Sequence, residues 1–216
     1  MVRRTKEEAQ ATRHKLLDAA EYLFQLQGVS RTSLQDIARR ADATRGAVYW
    51  HFKDKADLFN AMMERVTLPM EESFDHRKPV TGACAAQAGG QALQRIREST
   101  FYALNQVATD CQTRRVMEVA TQKVEYVEEL QAVRLRHLAV RNSFVERIEE
   151  SMLLASREAG IRLTMAASMA AQGLHALIGG LIQNWLLDPT AFDLVEVGRC
   201  AIDTYLQGLG FAPPAD

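Results

Sequence analysis

A chain of 216 residues, 47% hydrophobic and 25% charged, can bury a full core in one or two domains and is neither fibrous nor disordered by composition. The formal net charge of −1 hides an asymmetry: residues 1–55 hold 11 Lys and Arg against 7 Asp and Glu, and residues 56–216 hold 15 against 20. A basic head on an acidic body suits a DNA reader with a second domain of another kind, and disfavours a nucleoid-type structural DNA binder.

Three cysteines, Cys84, Cys111 and Cys200, are odd in number and unclustered. That fits a reducing cytoplasm and argues against a disulfide framework or a zinc site, although one of them could serve a redox sensor. The longest apolar stretch, around Leu174–Leu187, is interrupted by Gly179, Gly180, Gln183 and Asn184, so no membrane span is expected. The charged N-terminus lacks an apolar core, so no signal peptide is expected.

Lys6–Gln27 reads as an amphipathic helix with Leu16, Leu17, Ala20, Leu23 and Phe24 as its apolar stripe and Gly28 as its stop. Thr32 or Ser33 can cap a short second helix, in which Leu34, Ile37 and Ala38 share one face. Asp42-Ala43 makes a turn, and Thr44 is placed to cap a third helix. On that helix Val48 and Phe52 sit four apart and face the core, while Arg45 and Tyr49 share one other face and Gly46 and Trp50 another. A short helix presenting Arg45, Gly46, Tyr49, Trp50 and His51 outward suits a DNA major groove. The competing reading is an ordinary helical hairpin of a bundle.

Asp54 can cap a fourth helix running from Lys55 toward Met63 and on to Phe74, with Pro69 predicting a kink or a break. Residues 76–91, with Pro79, Gly82, Gly89 and Gly90, read as a linker or a frayed helix start. Leu93–Ala108 and Thr113–Gln122 are the next two helices. Val124–Ala159 reads as one unusually long helix ended by Gly160, with Leu138, Val145, Ile148, Met152 and Ala155 on its apolar face. Its other face, with Arg134, Arg136, Arg141, Arg147, Glu149 and Glu150, reads as solvated. Thr164–Leu187 and Asp193–Leu209 complete an all-α chain before a disordered Pro213-Pro214 tail. The expected organisation is an N-terminal three-helix helix-turn-helix DNA-binding domain over 1–55 and a C-terminal helical ligand-binding and dimerisation domain over 56–216.

The second domain offers no catalytic set. Its histidines, like those at 14 and 51, are scattered, and no nucleophile motif or phosphate-cradling loop is present, so no catalytic residue, cofactor or metal is expected. An all-α enzyme with an appended hairpin is the distant alternative. Met70, Phe74, Phe101, Met117, Met169 and Trp185 are candidates to line an apolar cavity, with Gln106, Glu118, Gln172, His175 and Asn184 as candidate polar contacts. Core packing is the competing role for each apolar one. Leu174, Leu177, Ile178, Leu181, Ile182, Trp185 and Leu186 give one helix a broad apolar face, and Ile202, Tyr205, Leu206 and Leu209 give the last helix another. Two such helices from each subunit would form a four-helix dimer interface, unless both faces are buried inside one chain.

The segment Gly46–Lys55, Gly-Ala-Val-Tyr-Trp-His-Phe-Lys-Asp-Lys, resembles the helix-turn-helix signature of the TetR family of bacterial repressors. Leu16–Val29 is similar to that family's first helix, and the opening Met1–Ala9 is similar to the AcrR- and TtgR-like branch that represses multidrug efflux pumps. A weaker likeness returns at Gly180-Leu181, Asn184–Leu186, Pro189 and Phe192–Leu194, which resemble the dimerisation region of that branch. Between about 66 and 172 only the helical layout matches. The resemblance implies DNA contacts from Arg45, Gly46, Tyr49, Trp50 and His51, phosphate contacts near Thr32, Ser33 and Thr44, and a further phosphate contact from Lys55. Arg3 and Arg4 are either an arm along the DNA or plain solubilising charge. The resemblance also favours the dimer and implies a cytoplasmic repressor of a near-palindromic operator, released by an apolar or aromatic small molecule, with an efflux operon as its target. A regulator of lipid or aromatic-compound metabolism is the alternative, since an acyl tail needs the same kind of cavity.

Overall fold

Helices of seven residues do not persist alone in water, so the short elements after Gly28 must be held by caps and by burial. The computed structural model describes residues 6–73, 90–125 and 127–213, with the backbone alone over 68–73 and at 129. Its helices are α1 (Lys6–Gln27), α2 (Leu34–Arg40), α3 (Arg45–His51), α4 (Lys55–Ser73), α5 (Gly90–Thr109), α6 (Cys111–Gln122), α7 (Gln131–Ala159), α8 (Ala167–Leu187) and α9 (Leu194–Gly208), with a single 3₁₀ turn at Glu128–Leu130. There is no strand among the described residues. None of these helices is long and apolar enough to cross a membrane.

Contacts divide the chain into two units, Met1–Thr67 with Cys111–Leu138, and Leu68–Asp110 with Ala139–Asp216. This differs from a division at 55/56. The reason is that the first half of α4 and all of α6 share one core with the helix-turn-helix. Leu16, Leu17 and Phe24 of α1, Ile37 of α2, Val48 of α3 and Phe52 just after it, Leu58 and Met62 of α4, and Val116 and Val119 of α6 are all buried together. The Phe24 and Phe59 rings meet at a centroid distance of 6.1 Å. Each fully buried large side chain is worth about 1.5–3 kcal/mol, more than a seven-residue helix can supply from its own hydrogen bonds.

Polar contacts set the angles of this unit. Glu21 on α1, only 2% exposed, accepts hydrogen bonds from Arg65 Nη1 at 2.6 Å and Gln112 Nε2 at 3.0 Å. Arg65 Nη1 also reaches Asp18 at 2.7 Å, and Gln25 donates to Glu118 at 2.8 Å. Desolvation pushes the Glu21 carboxyl above its ordinary 4.5, opposed by Gln112 and Arg65.

The second unit packs α5, α8, α9 and the later part of α7. Leu93, Ile96 and Leu104 of α5, Ile148 and Met152 of α7, Leu174 and Trp185 of α8, and Ile202 and Leu206 of α9 are buried. Arg97 donates to Asp203 at 2.9 Å and to the Ala212 carbonyl at 3.1 Å, which ties the end of the chain to α5. Close packing uses two glycines: a Cβ at Gly198 would collide with Leu104, and one at Gly173 with the Tyr205 hydroxyl. That hydroxyl donates to the Ala170 carbonyl at 2.9 Å.

Several boundaries differ from the sequence reading. Helix α4 continues through Pro69 to Ser73, so the expected break is not there. The long helix does not start at Val124. The Lys123 carbonyl accepts from Val29 N–H at 3.1 Å, which draws the chain after α6 onto the end of α1, and α7 begins only at Gln131. Helix α8 starts at Ala167 rather than Thr164, because Thr164 N–H and Oγ1 donate to the carbonyls of Leu209 and Gly208. Gly28 and Gly160 end α1 and α7 as expected, with φ of +85° and +64°. The expected linker over 76–91 falls almost wholly outside the described residues, as do Phe74 and the end of the Pro213-Pro214 tail.

Gly198→Ala is expected to destabilise the chain by about 1–3 kcal/mol through overpacking against the fully buried Leu104, read as a lower urea midpoint with an unchanged slope.

Candidate nucleic-acid interface

Sequence places the caps, and the caps place the helices. Ser33 Oγ accepts from Asp36 N–H at 3.1 Å while Asp36 Oδ2 accepts from Ser33 N–H at 3.2 Å, a reciprocal box at the start of α2. Thr44 Oγ1 accepts from Ala47 N–H at 3.1 Å and starts α3. Between them Asp42 takes a left-handed φ of +52°, which lets the chain reverse in the turn expected at Asp42-Ala43. Asp54 Oδ1 accepts from Asp57 N–H at 2.8 Å and starts α4. Of the two candidate caps for α2, Ser33 is the one used.

Val48 faces the core and is fully buried, while Arg45, Gly46, Tyr49 and Trp50 face outward. Trp50 is 72% and Tyr49 49% exposed. Arg45 is exposed and donates from Nη2 to the Tyr49 hydroxyl at 3.3 Å, with its Cζ 5.5 Å from the Tyr49 ring centroid. That hydrogen bond pushes the Arg45 pKa up, and the guanidinium is a permanent cation at the tip of the helix. The Trp50 and His51 rings meet edge to face at 4.5 Å. Gly46 is exposed, and a Cβ there would approach only Thr44 Oγ1, at 3.9 Å. No internal packing therefore requires glycine at this position.

Two expected contacts are placed differently. Thr32 is 1% exposed; its hydroxyl donates to the Gly28 carbonyl at 2.7 Å and accepts from Gln27 at 3.2 Å. Lys55 is half-buried and its ammonium points at the α1–α2 turn, donating to the carbonyls of Val29, Ser30 and Thr32. Ser33, Thr44, Arg45, Gly46, Tyr49 and Trp50 are exposed, and His51 is half-buried. Lys53, two residues earlier in the same segment, is exposed beside the start of α4. The signal that could have separated the two is register: Lys55 lies inside the first turn of α4, and Lys53 lies before it.

The second unit is less orderly than the sequence suggested. Met169 is 64% exposed. Gln172 is exposed and accepts from Arg141 at 2.8 Å. Phe101 is half-buried with the Arg199 guanidinium 5.2 Å from its ring, His175 is half-buried, and Trp185 is buried. Met117 belongs to the first unit, and the Met70 side chain and Phe74 lie outside the described residues. Two open clefts of about 240 and 230 Å³ are polar: one is lined by Leu26–Arg31 and Gln122, Lys123 and Glu125, the other by Val127, Glu128, Gln131 and Arg134. Both lie in the first unit, apart from the C-terminal domain in which the apolar cavity is expected.

Among the dimer candidates, Leu174, Ile182, Trp185, Ile202, Leu206 and Leu209 are already buried within one chain, while Leu177, Ile178, Leu181 and Tyr205 are half-covered. The strongest apolar stripe of α9 therefore serves its own core, which corrects its assignment to a partner. The large apolar side chains left outside on these two helices are Met169, Leu187 and Val197.

Residues 16–62 match the model of the tetR family of bacterial regulatory proteins, and residues 91–211 match the C-terminal region of MAATS-type transcriptional repressors. The chain belongs to the TetR family. The regulator TtgR of Pseudomonas putida is 34% identical over 213 residues, covering 99% of this chain and 98% of that protein. NalD, the secondary repressor of the MexAB-OprM multidrug efflux pump of Pseudomonas aeruginosa, superposes with a TM-score of 0.79 at 37% identity, covering 93% and 97%. SmeT in complex with triclosan follows at 0.78 and 29%, covering 95% and 94%. As a TetR-family member the chain is a DNA-binding transcriptional repressor and not an enzyme. Its helix-turn-helix is α2 and α3, built on α1.

In such a regulator the α2 cap is tied to pH. The Ser33 hydroxyl, and then its N–H, hold the Asp36 carboxyl below its ordinary 3.8. A carboxyl lowered in the folded state adds stability above its unfolded value, and that contribution disappears as pH falls through the folded one. The stability gap between wild type and Asp36→Asn is expected to stay constant from neutral pH down to about 5 and to shrink below about 4, measured by urea titration across that range.

Proposed function

We propose that this TetR-family repressor binds a near-palindromic operator as a dimer in the cytoplasm. Its two copies of α3 would sit one DNA turn apart, about 34–36 Å, and an apolar or aromatic small molecule would release them. The observation that carries the reading is the likeness to efflux repressors along nearly the whole chain, 37% identity to NalD over 93% of it, and not over the helix-turn-helix alone. An operon for a multidrug efflux pump is the target this likeness supports. The complex of SmeT with triclosan supports an apolar, aromatic ligand class. The likeness to fatty-acid regulators, at 17% identity, concerns the fold and does not favour the lipid reading.

On the DNA side, Arg45 donates to a base edge and Tyr49 and Lys53 stand beside the backbone. Gly46 supports the same placement. An exposed helical glycine that no neighbour requires weakens its helix, and close approach of a DNA backbone supplies the reason to keep it. On the protein side, the dimer uses the outward residues of α8 and α9, including Met169, Leu187 and Val197, rather than the buried stripe.

Arg45→Ala is expected to lose about 1–3 kcal/mol of operator binding and to relax preference at one base pair in each half-site, read by anisotropy against a panel of operator variants. Gly46→Ala should move two measurements in opposite directions: the melting midpoint rises, by up to about 1 kcal/mol of stability, while operator affinity falls. A Gly46→Ala variant with unchanged affinity would remove the close-approach reading.

The ligand is tested through reciprocity. Triclosan that lowers operator affinity by some factor must itself bind more weakly by the same factor when operator is present, measured by calorimetry with and without DNA. Tight binding with no change in DNA affinity would mark a passenger and sink the inducer reading.

A further inference from the structure

The turn from Gly28 to Ser33 must reverse the chain between α1 and α2 without leaving its carbonyls unsatisfied. The Gly28 carbonyl takes the Thr32 hydroxyl at 2.7 Å. The carbonyls of Val29, Ser30 and Thr32 converge on one point, and Lys55 Nζ occupies it at 2.9, 3.1 and 3.2 Å. An ammonium carries three N–H donors on one tetrahedral nitrogen, which matches three acceptors gathered around one point.

We infer that Lys55 is a positioning residue for DNA reading: its ammonium clamps the α1–α2 turn to the start of α4 and so fixes α2 beneath α3, in place of contacting a DNA phosphate. This rests on the reading of α2 and α3 as the operator-reading pair. The clamp joins residues 23 to 26 apart in sequence and brackets α2 and α3, which lie between its two ends. The Val29 carbonyl also accepts from Thr32 N–H at 3.3 Å, so the ammonium adds to a bond that the turn makes within itself. Without the ammonium the carbonyls would turn to water, and the Ser33 box would lose its fixed approach.

Chemistry separates the clamp from a phosphate contact. Arginine keeps a phosphate contact, since it is a cation with a suitable fork. It cannot replace the clamp, because a planar guanidinium spreads its donors outward and cannot direct three of them at carbonyls gathered around one nitrogen. The experiment compares wild type, Lys55→Met, Lys55→Arg and Arg45→Ala as full-length chains, by operator anisotropy at several salt concentrations and by amide exchange. Lys55→Met keeps the aliphatic stem packed and removes only the charged head.

Both Lys55 variants are expected to lose about tenfold or more in operator affinity with the salt slope unchanged, and to exchange faster at the amides of residues 32–37. A salt slope reduced by about one in Lys55→Met and restored in Lys55→Arg would overturn the clamp in favour of a phosphate contact. Unchanged affinity in both would overturn it as well. Exchange also decides for a variant of low stability, since global unfolding speeds every amide while loss of the clamp speeds 32–37 first. If Arg45→Ala leaves operator affinity unchanged, the reading of α3 fails, and the exchange pattern alone then judges the clamp.

Discussion

The DNA face depends on a single constraint: α2 and α3, seven residues each, have no stability of their own and take their positions from α1 and α4. Ile37 and Val48 are the fully buried anchors they offer, and Phe52 closes the core as the chain turns into α4. About 1.5–3 kcal/mol for each such side chain is enough to seat a short helix but is not directional. Direction comes from polar groups at the ends. Ser33, Thr44 and Asp54 fix where each helix begins, and Lys55 gathers the carbonyls between α1 and α2. Every outward residue of α3 inherits its place from that combination.

The other side of α1 is held by a different kind of contact. Asp18, Glu21 and Gln25 form a polar stripe that meets Arg65 of α4 and Gln112 and Glu118 of α6. Burying a carboxylate and a guanidinium together brings little net stability, because desolvation offsets most of the attraction. Burial raising the Glu21 pKa against the pull of Arg65 is the same balance seen from the titration side. Such a contact sets geometry more than it adds stability, since Glu21 Oε1 must meet both partners at 2.6 and 3.0 Å and few other settings of α4 and α6 on α1 would allow it. Apolar packing on one face and ionic keying on the other give α1 its role as the shared support of the unit.

The helix-turn-helix was legible in the sequence because its signals are local. A hydroxyl or carboxylate three residues before the N–H it accepts from, glycine after a helix and apolar residues three and four apart all act within one turn. The bounds of α1 and the caps at Ser33, Thr44 and Asp54 follow from them. What failed was set by contacts far along the chain. Lys123 gives its carbonyl to Val29, and Thr164 ties to the end of α9; neither partner is visible in a local pattern. The carbonyl contacts of Lys55 were hidden for the same reason. A lysine in a DNA-binding motif reads as a phosphate contact until its carbonyl partners, more than twenty residues earlier, are placed around it.

The C-terminal helices show a second limit, which is that amphipathic period reports burial without naming the surface that buries. Ile202, Leu206 and Leu209 have the spacing of an interface stripe, and they are fully covered by their own chain. Helix α8 is apolar nearly all round, so one face can fill the core through Leu174, Ile182 and Trp185 while Met169 and Leu187 remain outside. An all-round apolar helix at a surface is what a two-sided role requires. On that reasoning α8, more than α9, is the element whose composition exceeds the needs of a single chain. The glycines at 179 and 180 agree: a Cβ at either would meet nothing within 4 Å, so neither is there to let this chain pack against itself. Two adjacent glycines in the middle of a helix weaken it, and contact with a second molecule at that point supplies a physical reason that packing within one chain does not.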